Sequence, residues 1–357
     1  MAINLITEYS TRLDERFKQK SLTEAHCGHD YSWDGVNSIV VFNIDNMAVQ
    51  DYTLTGANRF TGGNFPTNIG DEANTYTLQK KRSFGGVIEG VQNMDQKNIK
   101  KANALLKQTW DEVMVPEIDQ YRLQTWANGA GLGTLNTTAL TNKTIVRAML
   151  TSQAALNNKY VPRDGRVCFI GETLAVETKL AEELGYNEAF TSKAIVNGQC
   201  ARLGGLPIVS VPDSWMPAGV EFMIKYKRAT ADPTKLKMLR ALNQVQGVYG
   251  TVLEGLTRYD SFVLANKANG IFVYGGDAAK VVTVGTVSVS SSKLALANAT
   301  AGATFYYTDD GSNPKVSATR AALVSGTTAA PASGTLVKIY GEKTGMTNSN
   351  IVEFIVP

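Results

Sequence analysis

The sequence has little of what metal centres and disulfide frameworks require. Its 357 residues include two histidines, His26 and His29, and only three widely spaced cysteines. Structural zinc sites normally take four Cys or His ligands, and His26, Cys27 and His29 have no second Cys/His pair to complete the set. A polar turn is therefore the better interpretation of this segment. The odd number of cysteines argues against a disulfide framework and favours a reducing compartment.

Catalytic motifs are also absent from the sequence. It has no Gly-x-Ser-x-Gly elbow, no phosphate-binding Gly-Lys-Ser/Thr loop and no Gly-x-Gly-x-x-Gly fingerprint. A Ser-His-Asp or Cys-His arrangement would have to use His26 or His29, which lie in a segment with no pocket signature. The glycines at 129, 131 and 133 follow a predicted helix and are typical of helix termination. We therefore expect no enzyme activity, no cofactor and no metal.

Charge and hydropathy exclude two further classes. Charged residues make up 19% of the chain and the net charge is only +3, so electrostatics gives little reason to expect a dedicated nucleic-acid binder. No apolar run approaches the roughly 20 residues that span a bilayer. The first 20 residues carry acidic side chains and no apolar core, unlike a signal peptide. The sequence predicts a protein with no membrane partner.

Residues 1–37 read as an N-terminal arm. A short amphipathic helix is predicted over residues 9–17, and Arg12, Arg16, Lys18 and Lys20 form a modest basic cluster. That cluster is either a solvated helix face or a contact for acidic partners such as packaged nucleic acid. The arm itself either packs on its own chain or lies on another subunit.

A long hairpin is predicted next. It begins with a β-rich run at residues 38–44 and returns over residues 76–84. In the return strand the side chains at even positions from 76 to 84 share one face, by the period of two. Lys80, Lys81 and Arg82 place positive charge in mid-strand, which suits an exposed edge and not a monomer core.

The connection between these two runs, residues 55–74, is too long for an ordinary loop. Loops beyond about 12–15 residues are uncommon in compact domains and are typical of binding elements or disorder. Phe60 and Phe65 are either anchors on a partner or local packing residues. The predicted inter-subunit contacts of arm and hairpin are Arg12, Arg16, Phe17, Arg59, Phe60, Phe65, Lys80, Lys81 and Arg82.

A long helix is predicted from an N-cap at Asp95 to the end of the apolar pattern at Trp126, with a break or kink at Pro116. About 33 residues at 1.5 Å each extend roughly 50 Å. A domain of this size does not usually need such a helix. A long hairpin that feeds a long helix indicates an assembly protein.

Residues 142–276 alternate between helical and strand patterns, as in an α+β domain. Helices are predicted over 144–157 and 174–184, and strands over 166–170, 207–211, 221–225 and 270–274. Residues 275–279 read as a linker. The remainder is rich in Ala, Ser, Thr, Val and Gly. Its short strands at 287–290, 304–308, 336–341 and 351–356 are typical of a small all-β sandwich.

The order of arm, hairpin, long helix and α+β domain resembles the major capsid proteins of tailed bacteriophages, with the Hong Kong 97-like fold. Residues 116–121 are similar to the end of that family's spine helix. Residues 166–184 are similar to the first strand–helix unit of its axial domain, and residues 198–217 to its Gly- and Pro-flanked apolar strand. The resemblance covers about residues 1–275, and its specificity comes mostly from the order of the elements.

The resemblance implies a domain plan and a set of partners. It implies hexamers and pentamers of an icosahedral shell that encloses double-stranded DNA nonspecifically, with portal and scaffolding proteins. The virion would be its location, after assembly in the host bacterial cytoplasm. The domains would be an N-terminal arm (1–37), an E-loop hairpin with peripheral strands (38–94), a spine helix with the peripheral domain (95–141), an axial domain with return strands (142–276) and a C-terminal immunoglobulin-like domain (281–357).

The tail carries a resemblance of its own. Residues 302–314, followed by residues 336–349, resemble the hairpin repeat of chitobiase-type immunoglobulin-like domains. Such a domain on a capsid would face outward. It would be decorative, stabilising or weakly adhesive to glycans, with a glycan or a cement protein as its partner. The short polar side chains and the Asp-Gly pair also predict a tight structural turn without any resemblance. The turn residues are Asp309, Asp310, Gly311, Ser312 and Pro314.

Two alternatives to a phage shell remain open on the sequence. One is an encapsulin-like shell of a cellular nanocompartment, which shares the fold. The other is a glycan-binding accessory protein of a hydrolase, which the tail permits. The long hairpin and the tail favour the phage shell.

Overall fold

The computed structural model describes residues 20–28, 31, 37–44, 71–90, 93, 102–181, 199–203, 205–243 and 245–357. The predicted arm helix, the hairpin loop up to residue 70, the Asp95 cap and the end of the second predicted axial helix at residues 182–184 lie outside these residues. No helix among the described residues is long and apolar enough to cross a membrane.

Helices and strands alternate in the middle of the chain, and strands dominate its last third. The α-helices are α1 (Ala102–Thr109), α2 (Val115–Gly129), α3 (Ile145–Asn158) and α4 (Glu172–Leu180), and a π-turn (Trp110–Met114) joins α1 to α2. The 3-10 helices are Glu24–His26, Asp213–Trp215, Lys227–Ala229 and Ala265–Gly270. The strands before residue 200 are β1 (Ser38–Ile44), β2 (Asp71–Thr77), β3 (Lys80–Glu89), β4 (Leu132–Leu135), β5 (Arg166–Gly171) and β6 (Gln199–Leu203). The strands from residue 206 to 275 are β7 (Leu206–Val211), β8 (Val220–Tyr226), β9 (Thr230–Ala231), β10 (Thr234–Asn243), β11 (Gly250–Tyr259), β12 (Phe262–Val263) and β13 (Ile271–Gly275). The tail strands are β14 (Thr286–Ser290), β15 (Lys293–Ala297), β16 (Thr304–Thr308), β17 (Ala321–Leu323), β18 (Leu336–Glu342) and β19 (Val352–Ile355).

A six-stranded mixed sheet forms the centre of the molecule, in the order β4-β13-β8-β5-β7-β6. Strand β5 is buried along its whole length, which explains why its sequence is a continuous apolar run and not an alternating one. Val167 and Phe169 point to α2 and the N-terminal segment, whereas Cys168 and Ile170 point to α3 and α4. Helices therefore cover both faces of the sheet, and each face has its own apolar core.

A second, three-stranded sheet has the order β10-β11-β3 and carries α1 on one face. Leu106 of α1 packs there against Ile88 and Leu253. The prediction that residues 76–84 form one return strand of the hairpin is wrong. Only its first part, to Thr77, pairs with β1, and from Lys80 onward the chain pairs with β11 instead.

The described part of the long helix is continuous through Pro116, so of the two predicted outcomes, a break or a kink, the break does not occur. The N–H of Val115 donates to the carbonyl of Trp110, five residues earlier, which gives the π-turn its wide ring. Pro116 then stands in the first turn of α2, where its missing N–H costs least. The π-turn thus accommodates the proline ring without ending the helix.

The tail has two sheets, β14-β15 and β17-β16-β18-β19, around a core that includes Leu294, Val337 and Ile339. This arrangement agrees with the predicted all-β sandwich. The segment before it is not a free linker. Gly276 N–H donates to the carbonyl of Gly219, and Val282 is buried.

Candidate assembly surfaces

The stem of the hairpin is anchored on its inner face. Strands β1 and β2 pair in antiparallel register from Ser38 opposite Thr77 to Ile44 opposite Asp71. Ile39 and Val41 pack in one cluster with Tyr76, whose ring centroid lies 5.4 Å from that of Phe262. The Tyr76 hydroxyl also accepts a 3.0 Å hydrogen bond from the N–H of Ala265. The root of the hairpin is therefore fixed to the body of the chain.

The outer face of the same stem carries large apolar side chains into solvent. Val40 is 46% exposed and Phe42 is 63% exposed. Their register partners on β2, Thr75 and Ala73, are smaller side chains. Adjacent exposed apolar side chains on a paired strand are typical of an interaction surface.

The three predicted cations of the return strand lie in β3, at the edge of the three-stranded sheet. Arg82 makes a 2.6 Å ion pair with Glu117, and the Lys80 Nζ lies 4.9 Å from the ring centroid of Tyr121. Burial alone would raise the pKa of Glu117, but hydrogen bonds from Arg82 and Tyr259 lower it overall. Lys80 and Arg82 are thus engaged with the long helix of their own chain, while Lys81 is exposed on the other face.

The face of the three-stranded sheet away from α1 carries exposed apolar side chains among charged ones. Val87 is 55% exposed, Met238 is 45% exposed and Leu256 is 40% exposed. Met238 and Leu256 are cross-strand partners, and an Arg240–Glu254 pair at 2.6 Å stands beside them. This face is a second candidate for contact with another chain.

A buried polar network holds the N-terminal segment at residues 21–27. Asp119, which is fully buried, accepts hydrogen bonds from the hydroxyls of Ser21 and Thr23 and from the N–H of Leu22. Arg122 follows on the same helix and pairs with Glu24 at 2.6 Å. Since a buried charge needs partners, these contacts fix where the arm enters the fold.

Lys225 and Asp232 form the centre of this network. The Lys225 Nζ lies 3.5 Å from a carboxylate oxygen of Asp232 and 3.4 Å from the ring centroid of Trp126, and it donates to the carbonyl of His26. Burial would raise the pKa of Asp232, but Lys225 and the hydroxyls of Ser261 and Thr230 lower it overall. The carboxylate therefore stays ionised and paired.

His26 and Cys27 pack within the protein. The His26 ring lies edge-on to Phe169 at 5.7 Å, and burial together with Lys225 and Lys227 lowers its pKa to about 4. Cys27 donates to the carbonyl of Thr23, and burial raises the pKa of its thiol. Within the described ranges no group of three or more His, Cys, Asp or Glu side chains is placed to hold a metal ion.

Solved structures resemble this fold, although no protein-family model and no curated protein matches the sequence. A structure from Mycobacterium phage Che8 has a TM-score of 0.60 at 14% identity and covers 76% of this chain and 97% of its own. The capsid of cyanophage P-SCSP1u has a TM-score of 0.59 at 12% identity, over 76% and 92% of the two chains. The mature capsid of bacteriophage PhiM1 has a TM-score of 0.60 at 10% identity, over the same two shares. This chain has the phage capsid fold.

The similarity to phage capsid structures confirms the predicted α+β class and the predicted capsid fold. These structures cover about three quarters of this chain. The part that they do not cover is similar in length to the tail. Most of the predicted inter-subunit contacts lie outside the described residues, and they stay predictions. They are Arg12, Arg16, Phe17, Arg59, Phe60 and Phe65.

In the tail of this capsid-fold chain, Asp310 organises the predicted turn. One of its oxygens accepts hydrogen bonds from the N–H and the hydroxyl of Ser312, and the other accepts from the Thr319 hydroxyl. Burial would raise the pKa of Asp310, but these donors lower it overall. Gly311 has a φ of +80°, which explains why a glycine follows the aspartate. Asp309 and Pro314 lie beside this turn.

Three sets of residues in the capsid fold escaped the sequence reasoning. Val40 and Phe42 were hidden because the run at 38–44 is apolar at most positions, so its pattern does not show which face is exposed. Lys225 and Asp232 were missed because such residues are almost always at the surface. Lys315, which donates to the carbonyls of Asn128 and Ala130, was missed because a lysine in a polar loop is expected to point into solvent.

Proposed function

We propose that this chain is a major capsid protein that self-assembles into hexamers and pentamers of an icosahedral phage head. The fold that it shares with phage capsid structures, over nearly their whole length, carries this proposal. The shell would enclose double-stranded DNA nonspecifically, in the virion, after assembly in the host bacterial cytoplasm. Scaffolding and portal proteins would be its assembly partners.

The proposed mechanism is association without chemistry. A hairpin anchored at its root, with Val40 and Phe42 exposed on its outer face, is suited to lie on a neighbouring subunit. The exposed apolar face around Val87, Met238 and Leu256 is a suitable receiving surface. Each contact is modest, but symmetry repeats it in every subunit of a closed shell. A structural role of this kind needs no catalytic residue.

The arm and the hairpin loop would add to these contacts. Arg12, Arg16 and Phe17 of the arm, and Arg59, Phe60 and Phe65 of the loop, are proposed to touch neighbouring subunits. Lys80, Lys81 and Arg82 are all exposed and remain in this set, and Lys80 and Arg82 also contact Tyr121 and Glu117 of their own chain.

A glycan or a cement protein is a further proposed partner of the C-terminal domain. A cleft of about 800 Å³ between this domain and the end of α2 offers hydrogen-bonding side chains to such a ligand. Gln124, Asn128, Glu342 and Lys343 are among the residues that line it. An encapsulin-like compartment shell remains the rival within the same fold.

Hairpin variants test the proposed mechanism. Phe42→Asp places a charge on the outer face of the stem, where it does not disturb the inner packing. We expect it to lower the yield of shells at least tenfold, with the thermal midpoint of the subunit within about 2 °C of the wild type. The yield is measured by sedimentation and negative-stain microscopy beside the unmodified chain.

Val324→Asp is the matched control, because Val324 is 59% exposed on the C-terminal domain. It should assemble as the wild type does. A second variant replaces residues 45–70 by a short turn and keeps the paired stem, since residues 71–77 belong to β2. Normal shells from both hairpin variants would refute the role given to the hairpin.

A further inference from the structure

One loop of the C-terminal domain reaches three other parts of the chain. Residues 313–317, which we call the docking loop, lie between β16 and β17. They contact the end of helix α2, the 3-10 helix Ala265–Gly270 and the apolar cluster at the hairpin root. A loop of a decorative domain would have no need of such contacts.

Lys315 reaches the carboxyl end of helix α2. Its Nζ donates a 2.8 Å hydrogen bond to the carbonyl of Asn128 and a 2.7 Å hydrogen bond to the carbonyl of Ala130. The last carbonyls of a helix have no partner within the helix, so a donor at this position completes them. The side chain of Asn128 also accepts from the N–H of Asn348, which adds a second link to the same domain.

Asn313 and Val316 connect the docking loop to the hairpin. The Asn313 side chain donates a 3.0 Å hydrogen bond to the carbonyl of Ala265, and the N–H of Ala265 donates to the hydroxyl of Tyr76 on β2. Val316 packs against the apolar cluster that contains Tyr76 of β2, and Ile39 of β1 packs against the same cluster. The C-terminal domain therefore reaches the hairpin root through this cluster, and through the hydrogen bonds that run from Asn313 by way of Ala265 to Tyr76.

We propose that the C-terminal domain is a positioning element for assembly, because its docking loop holds the root of the hairpin in a fixed direction relative to the long helix. Val316 and Asn313 act through Tyr76, and Lys315 fixes the helix end against which the loop is seated. The expected effect on assembly rests on the proposed function: subunits whose hairpin has no defined direction should form closed shells poorly. The bracing itself is a property of the single subunit.

The test compares amide hydrogen exchange in full-length variants. Val316→Asp should accelerate exchange of the peptides that cover β1 and β2 about tenfold, which corresponds to about 1.4 kcal/mol of lost protection. Peptides of β5 and β7 in the central sheet should exchange as in the wild type. In Val316→Asp the yield of shells should fall together with the protection of β1 and β2. The conservative variant Val316→Ile should keep both at the wild-type level.

Val324→Asp controls for a new charge on this domain, and Val316→Ala serves if Val316→Asp does not fold. Unchanged exchange in β1 and β2 would overturn the proposal, as would an equal acceleration in β5 and β7, which marks a loss of global stability. The proposed function fails separately, if the wild type forms no shells while the exchange result holds.

Discussion

The pKa of Lys315 depends on how the fold encloses its amine. Its amine is enclosed between the end of α2 and the C-terminal domain, with the Tyr340 ring centroid 5.8 Å away, and desolvation lowers its pKa to about 7. A neutral amine still carries two N–H donors, which is the number that Asn128 and Ala130 accept. The residue can therefore keep both hydrogen bonds when it loses its charge.

This gives a prediction for the pH dependence of stability. The unfolded chain keeps Lys315 protonated up to pH about 10.5, whereas the folded chain releases the proton near pH 7. Between these values the unfolded state binds more protons, so the Lys315 contribution to the free energy of unfolding rises with pH. The rise is at most about 1.4 kcal/mol per pH unit.

Urea unfolding of the wild type and of Lys315→Met at pH 6, 8 and 9.5 measures this contribution as a difference. We expect the free energy of unfolding of the wild type, relative to that of Lys315→Met, to be larger at pH 9.5 than at pH 6. Lys293→Met, at an exposed lysine of the same domain, should show no such shift. A difference that is constant with pH would contradict the buried environment of Lys315.

Buried charges were the residues that the sequence could not reveal. Asp119 and Lys225 stand in stretches where a charged residue normally marks the solvent face. Their burial depends on partners that are distant in sequence, such as Thr23 for Asp119 and the His26 carbonyl for Lys225. By contrast, the Asp-Gly turn of the tail was predictable, because the residues that form it are adjacent in sequence.

Among the elements, strand β3 is one whose pairing the sequence periodicity alone does not predict. The alternation of Tyr76, Leu78 and Lys80 continues without interruption, so the sequence predicts one strand. The chain nevertheless leaves the hairpin at Gln79, whose N–H donates to the carboxylate of Asp260, 181 residues away. Only the strand register shows that the second half pairs with β11.

A glycine in β11 explains how β3 and the long helix pack. A Cβ on Gly255 would lie 2.2 Å from the Phe84 ring, and Phe84 packs against both α1 and the helix turn around Met114. We expect Gly255→Ala to lower the free energy of unfolding by about 1–3 kcal/mol, because the ring must move out of a packed site.

Gly86→Ala is the matched control in the neighbouring strand, since its Cβ would meet nothing within 4 Å. It should leave stability within about 0.5 kcal/mol. Urea unfolding of both variants gives the comparison. Equal stability of the two would contradict the close approach of Phe84 and β11.

At the scale of the whole molecule, the order of the elements was the predictable part. The helix at Ile145–Asn158, the strand at Arg166–Gly171 and the final strand of the central sheet at Ile271–Gly275 lie within one or two residues of their predicted bounds. These segments are buried, and burial leaves a strong apolar pattern in the sequence. The position of the tail against the rest of the chain was not predictable, because the docking loop is short and mostly polar and its partners come from three distant parts of the chain.

The whole molecule also explains why a hairpin and a long helix occur together. The docking loop contacts both the hairpin root and the end of α2, so the proposed bracing sets the direction of the hairpin relative to the long helix. A reaching element is useful for assembly only if its direction is defined. This is the physical reason to place an all-β domain at that junction.

Sedimentation velocity of the purified full-length chain, followed by negative-stain microscopy of each boundary, shows whether this chain assembles into shells. We expect discrete boundaries for capsomers and for closed polyhedral shells, with larger species favoured as the protein concentration rises. A chain that stays a folded monomer at all concentrations, with or without a scaffolding protein, and that binds polysaccharide, would contradict it.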